Sequence, residues 1–120
     1  MKTQYASLTS YVTKDGSVIR ELMHPSLHGN RKQSLAEARV PAGGKTRLHR
    51  HQQTEELYYI VQGKGTMTLG DNTFEVSQGD TIAILPGTPH CLENNHADEL
   101  VLLCCCSPAY SHDDTELLAD

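Results

Sequence analysis

Tryptophan is absent from this 120-residue chain and phenylalanine occurs once. The longest apolar run, Leu100 to Cys106, has only seven residues. A membrane-spanning helix needs roughly 20, so none is expected. A basic excess is lacking as well: ten Lys and Arg stand against fifteen Asp and Glu, for a net charge of -5. No nucleic-acid or anionic-membrane partner is expected from that balance. Paired cysteine motifs are missing too. The four cysteines sit at 91, 104, 105 and 106, which fits neither a disulfide framework nor the C-x2-C pairs of a zinc ribbon. Residues 1–7 hold no apolar stretch of the kind that directs export. The expectation is a cytoplasmic protein with reduced thiols. At this length the chain holds one domain with a core of its own.

Amphipathic helical periodicity is nearly absent. Short runs rich in Val, Ile, Thr and Tyr recur between Gly, Pro, Asn and Asp, which is the rhythm of an all-β sandwich or barrel. Strands are expected at 11–13, 17–20, 34–40, 46–51, 56–62, 66–69, 73–76, 81–85, 90–93 and 100–106. Gly70-Asp71-Asn72 reads as the clearest hairpin turn. Residues 21–33 read as irregular. The tail has a capping-box look at Ser111 and Asp114 but is too short to hold a helix alone. Ten short strands predict a double-sheet jelly-roll barrel, a double-stranded β-helix with irregular terminal arms, presenting alternate side chains inward. Arms of this kind, with exposed sheet edges, lead us to expect a homodimer.

Seven histidines are the unusual excess. His49 and His51 stand at i and i+2, so on a strand they share a face. There they either share one metal ion or stand idle in solvent. Glu55 and Glu56 follow, and either can return to the same place. His90 lies behind the rigid Pro86-Gly87-Thr88-Pro89 turn.

Taken together these residues resemble the cupin family. The first cupin motif, G-x5-H-x-H-x3,4-E-x6-G, is met by Gly43, His49, His51, Glu56 and Gly63. The second, G-x5-P-x-G-x2-H-x3-N, is met by Gly79, Gly87, His90 and Asn94, with Leu85 where the family has its first proline. The resemblance implies one cupin domain over 1–120 that binds a divalent metal through His49, His51, Glu56 and His90. It prefers Glu56 to Glu55, because the step to Gly63 fits only Glu56. Imidazoles with one carboxylate suit Fe, Mn, Ni, Cu or Zn. Four protein ligands on a six-coordinate ion leave two positions for water, substrate or dioxygen.

Strand parity then puts Tyr58 and Ile60 on the ligand face. Arg47, two residues before His49, is expected to face the interior or to stand solvated at the strand end. Glu56, Tyr58 and Arg47 are the candidate catalytic residues. Cys104 and Cys106 share a face, either lining the pocket or packing as small hydrophobes. Tyr110 either closes the pocket mouth or packs the tail. His24, His28, His96 and His112 match no motif and are expected in surface or loop roles. Asn94 is expected to tie down a loop. The resemblance implies a small metal-dependent enzyme acting on an oxygen-bearing small molecule, of dioxygenase, decarboxylase or sugar-isomerase type. The alternatives are a non-catalytic ligand-binding or sensing module and a structural barrel without metal. One barrel hosts many reactions, so the fold alone does not name the chemistry.

Overall fold

Short β-branched runs broken by glycine and proline turns do form strands, eleven of them among residues 1–119, which the computed structural model describes. They are β1 (Ser10–Val12), β2 (Val18–Met23), β3 (Ser34–Val40), β4 (His49–His51), β5 (Glu55–Gln62), β6 (Lys64–Leu69), β7 (Asn72–Ser77), β8 (Thr81–Ile84), β9 (His90–Glu93), β10 (Leu100–Ser107) and β11 (Thr115–Leu117). A six-stranded sheet in the order β1-β2-β3-β10-β5-β8 faces a five-stranded sheet in the order β11-β4-β9-β6-β7. Every pairing is antiparallel. This is the expected jelly roll.

The arms are less irregular than expected. β1 adds to the edge of the larger sheet by pairing with β2. Residues 21–33 include the end of β2 and one helical turn, α1 (Pro25–His28). His24 caps that turn by accepting the Ser26 N–H on Nδ1 at 3.1 Å. The tail forms β11 against β4 rather than the start of a helix. The strand expected at 46–51 begins only at His49, because 46–48 are pinned outside the ladder.

Register explains where the barrel is solid and where it is hollow. Across the inner face of the larger sheet, Ile19, Ala38, Leu102 and Ile60 form one row. Two residues along, Glu21, Ala36, Cys104 and Tyr58 form the next. A third row holds Ser34, Cys106, Glu56 and Ile84. Large side chains fill the first end: Ile60 and Leu100 are 0% exposed, Leu102 1%, and Met67 and Leu92 from the other sheet 0% and 2%. Each such burial stabilises the fold by about 1.5–3 kcal/mol. The small side chains of Ala36, Ser34, Cys104 and Cys106 leave the other end open. Polar groups collect there.

Candidate metal centre

The site is built by cross-strand pairing. β4 carries His49 and His51 on its buried face, with Arg50 between them turned outward. His90, the first residue of β9, pairs with His49, and their rings lie 4.2 Å apart between centroids. Glu56 reaches in from β5 on the opposite sheet. Alternation on β5 follows the expected parity: Glu56, Tyr58 and Ile60 are buried, and Glu55, Leu57, Tyr59 and Val61 are exposed. The ligand atoms of the three histidines lie within 4.8 Å of one another. Glu56 Oε1 lies 3.1 Å from His51 Nε2 and 3.5 Å from His90 Nε2.

The outer nitrogens are all committed. His49 Nδ1 lies 2.8 Å from the Arg47 carbonyl, and His90 Nδ1 lies 2.9 Å from the Thr88 carbonyl. A carbonyl only accepts, so both Nδ1 atoms carry the proton. His51 Nδ1 lies 3.0 Å from Thr115 Oγ1, and that hydroxyl spends its own proton on the Ser111 carbonyl at 2.8 Å. His51 therefore donates as well. In neutral imidazoles this leaves three Nε2 lone pairs converging on one point. His90 Nε2 is buried and has no hydrogen-bond partner among the described residues. Metal-bound histidines are held in this way, with the distal N–H given to a carbonyl, carboxylate or hydroxyl. Ligands side by side at about 2.1 Å from one octahedral ion stand about 3 Å apart. The residues fit a divalent ion.

The electrostatics agree. Burial, then the charge of His90, push the His49 pKa down and favour its neutral form. Burial alone would raise Glu56, but the His51 and His90 rings beside its carboxylate bring its pKa down to about 2. Glu56 Oε2 is also engaged, accepting from the Cys106 thiol at 3.2 Å. Burial, then the Glu56 charge, push the Cys106 thiol well above its usual range.

Tyr58 lines the cavity with its ring edge-on to His90 at 6.0 Å. Burial, then the charge of Glu56, push its hydroxyl pKa up. Arg47 does not face the interior. Its side chain is exposed, and only its backbone reaches the site, through the carbonyl that receives His49. It stands solvated, the second of its two expected placements, because residue 47 lies just outside the strand. Tyr110 both closes the cavity and packs the tail: its hydroxyl bonds Thr13 and His112, each at 3.0 Å, and its ring meets His51. Asn94 ties its loop to Val40 and Asp98 through Nδ2. His24, His28 and His112 bond backbone or neighbouring side chains away from the triad.

Sequence reasoning did not single out Asp15, Glu21 or Thr115. Asp15 lies in the turn between β1 and β2 with Oδ2 3.5 Å from His49 Nε2. Glu21 lines the same cavity. Its Oε1 accepts from Tyr11 at 3.3 Å, while its buried Oε2 has no partner among the described residues. Burial raises the Glu21 pKa against the opposing charge of His24. The inner cavity measures about 40 Å³, room for an ion and two or three water-sized groups. Tyr11, Glu21 and Tyr110 also line an outer groove of about 490 Å³.

No helix among the described residues is long and apolar enough to cross a membrane. Residues 36–106 match the cupin domain family, Cupin_2. Over 118 residues the chain is 56% identical to the uncharacterized protein MJ1618 of Methanocaldococcus jannaschii, covering 98% of this chain and 94% of that one. Over 84 residues it is 29% identical to an oxalate-binding protein of Thermotoga maritima, covering 70% of this chain and 65% of that one. The polyketide cyclase RemF of Streptomyces resistomycificus superposes with a TM-score of 0.84 at 21% identity, covering 100% of this chain and 86% of that one, a likeness of fold alone. With more than half its length matched and a jelly roll closed around three histidines, the chain belongs to the cupin family.

Proposed function

We propose that this protein is a small metal-dependent enzyme acting on an oxygen-bearing small molecule, with one divalent ion held by His49, His51, Glu56 and His90. The observation that carries the reading is the convergence of three Nε2 atoms whose Nδ1 partners are already fixed, with His90 Nε2 otherwise unpaired. A bound divalent ion supplies Lewis-acid polarisation of a substrate oxygen.

The chain's own groups set the substrate's character. Among the described residues, no lysine or arginine lines the cavity, while Asp15, Glu21 and Glu56 do. A dicarboxylate such as oxalate would meet carboxylates with no protein cation to offset them. A neutral hydroxyl compound would instead donate to the free Oε2 of Glu21. That oxygen is the one suited to hold a substrate proton, since Glu56 would give Oε1 to the ion and its Oε2 accepts from the Cys106 thiol. The body of the substrate would lie in the outer groove, beyond Tyr11 and Tyr110.

Elemental mass spectrometry of untagged protein, purified without chelators or nickel resin, tests the reading. We expect close to one Fe, Mn, Ni, Cu or Zn per chain. A screen of hydroxylated small molecules and oxalate follows, with and without dioxygen, and turnover is expected with a neutral hydroxyl compound. Stoichiometric metal with no turnover would favour a ligand-binding module. No metal after reconstitution at neutral pH would overturn the metal reading.

A homodimer fits the same molecule. The outer face of the larger sheet exposes Leu35, Leu57, Tyr59 and Val61, with Cys105 in register between Leu35 and Leu57. A two-fold partner covers such a strip with its own copy of it. Light scattering at micromolar concentration is expected to give twice the chain mass of 13.2 kDa. A mass of one chain would count against it.

A further inference from the structure

We propose that Asp15 is a fifth protein ligand to the ion, so that the N-terminal arm completes the metal centre. This rests on the metal reading above. Asp15 belongs to the Lys14-Asp15-Gly16 turn, well outside the matched cupin segment of 36–106. Its carboxylate is buried and divided between two tasks. Oδ1 accepts from Ser17 N at 2.9 Å and from Ser17 Oγ at 2.7 Å. Oδ2 is left pointing at His49 Nε2, 3.5 Å away.

That pairing needs a cation. His49 gives its Nδ1 proton to the Arg47 carbonyl, so in the neutral ring Nε2 presents a lone pair. A carboxylate oxygen presents lone pairs too. Two acceptors facing each other at this distance repel unless something positive lies between them. Glu56 Oε1 stands at the same 3.5 Å from His90 Nε2. Asp15 thus relates to His49 as Glu56 relates to His90, and both distances suit neighbouring ligands on one ion.

The turn is fixed as a ligand support should be. The Asp15 carbonyl accepts from Arg47 N at 2.7 Å, tying the turn to the segment that leads into β4. Lys14 Nζ donates to the carbonyls of His112 at 3.1 Å and Thr115 at 2.6 Å, tying it to the tail. Rigid support of this kind is what a metal ligand needs. Five protein ligands leave one position on a six-coordinate ion, not two. A substrate would then have to bind through a single oxygen or take the place of Asp15.

The test uses cobalt(II) on the full-length protein. Asp15→Asn keeps an oxygen for Ser17 and so keeps the turn, but turns an amide nitrogen toward the ion. Its cobalt affinity, measured by chelator competition, is expected to fall at least 10-fold. Asp15→Cys is expected to show a near-ultraviolet thiolate-to-cobalt charge-transfer band that the wild-type protein lacks. That band requires a bond between residue 15 and the metal, which a merely structural aspartate would not give. Affinity within two-fold of wild type in Asp15→Asn, or cobalt bound by Asp15→Cys without the band, would overturn the proposal and leave the four-ligand site standing. Wild-type protein that binds no cobalt would instead overturn the metal reading from which it starts.

Discussion

Replacing His51 with alanine is expected to lower metal affinity at least 100-fold, about 2.7 kcal/mol, while the barrel stays folded. His51 is 3% exposed and sits where both sheets meet, with Glu56 on one side and Thr115 on the other. Alanine removes one converging lone pair and leaves Glu56 Oε1 without its nearest partner. The core at the far end, built on Ile60, Leu100, Leu102 and Met67, does not touch the change. Two measurements check this. Metal per chain should fall from near one to a small fraction after dialysis. The thermal response should shrink to about 2 °C or less as well. Metal at 100 times its dissociation constant stabilises the native state by about 2.7 kcal/mol, which for a domain of this size raises Tm by roughly 8–13 °C. Wild-type protein should show that rise and His51→Ala should not. Thr115→Val offers an intermediate case. Of the three groups that receive an Nδ1 proton, Thr115 is the one side chain, since the other two are backbone carbonyls. Losing it should cost about 10-fold in affinity. Full metal retention in His51→Ala would remove the ligand assignment.

Much of this site was legible because β-strands impose parity and motifs impose spacing. β5 alternates from Glu55 to Val61, so placing Glu56 inward also places Tyr58 and Ile60 inward, and they are. The same logic put Cys104 and Cys106 on one face, although parity gives a face and not a partner. That Cys106 donates to Glu56 depends on a register between β10 and β5 that links residues 50 apart in sequence. Arg47 lies beyond the reach of strand parity. Parity holds only inside a ladder, and the ladder begins at His49. Asp15 and Thr115 were illegible for another reason. Each lies in an arm whose local sequence describes only a turn or a tail. Each gains its role from a long-range contact, to His49 across 34 residues and to His51 across 64. Glu21 was passed over because its segment lacks a clean strand pattern. β2 carries an irregularity between Glu21 and Met23 that breaks the alternation.

Gly63→Ala is expected to destabilise the fold by about 3–4 kcal/mol, and the reason shows what the last glycine of the first motif does. Gly63 joins β5 to β6 with φ at +89°, a conformation that costs an L-residue about 1–2 kcal/mol. A Cβ there would also stand 2.6 Å from the Glu99 carbonyl oxygen and 3.1 Å from Leu100 Cα. Both are backbone atoms, and Leu100 is 0% exposed at the packed end of the barrel. Relief therefore means moving the start of β10 away from its neighbours. Gly79 supplies the control. Its φ is +94°, but nothing lies within 4 Å of an added Cβ. Gly79→Ala should bear the conformational cost alone, roughly 1–2 kcal/mol. At about 3–5 °C per kcal/mol for a domain of this length, Tm by circular dichroism should fall roughly 10–20 °C in the first variant and 3–10 °C in the second. Equal losses would mean that the close approach to Glu99 contributes nothing. Metal content separates stability from ligation. The clash lies at the Leu100 end of β10, and the contact between Cys106 and Glu56 lies at the other, about 20 Å along the strand. Below its Tm, Gly63→Ala should therefore hold as much metal as the wild-type protein. A barrel whose ends are this distinct can lose strength at its packed end while its ligand set at the hollow end stays in place.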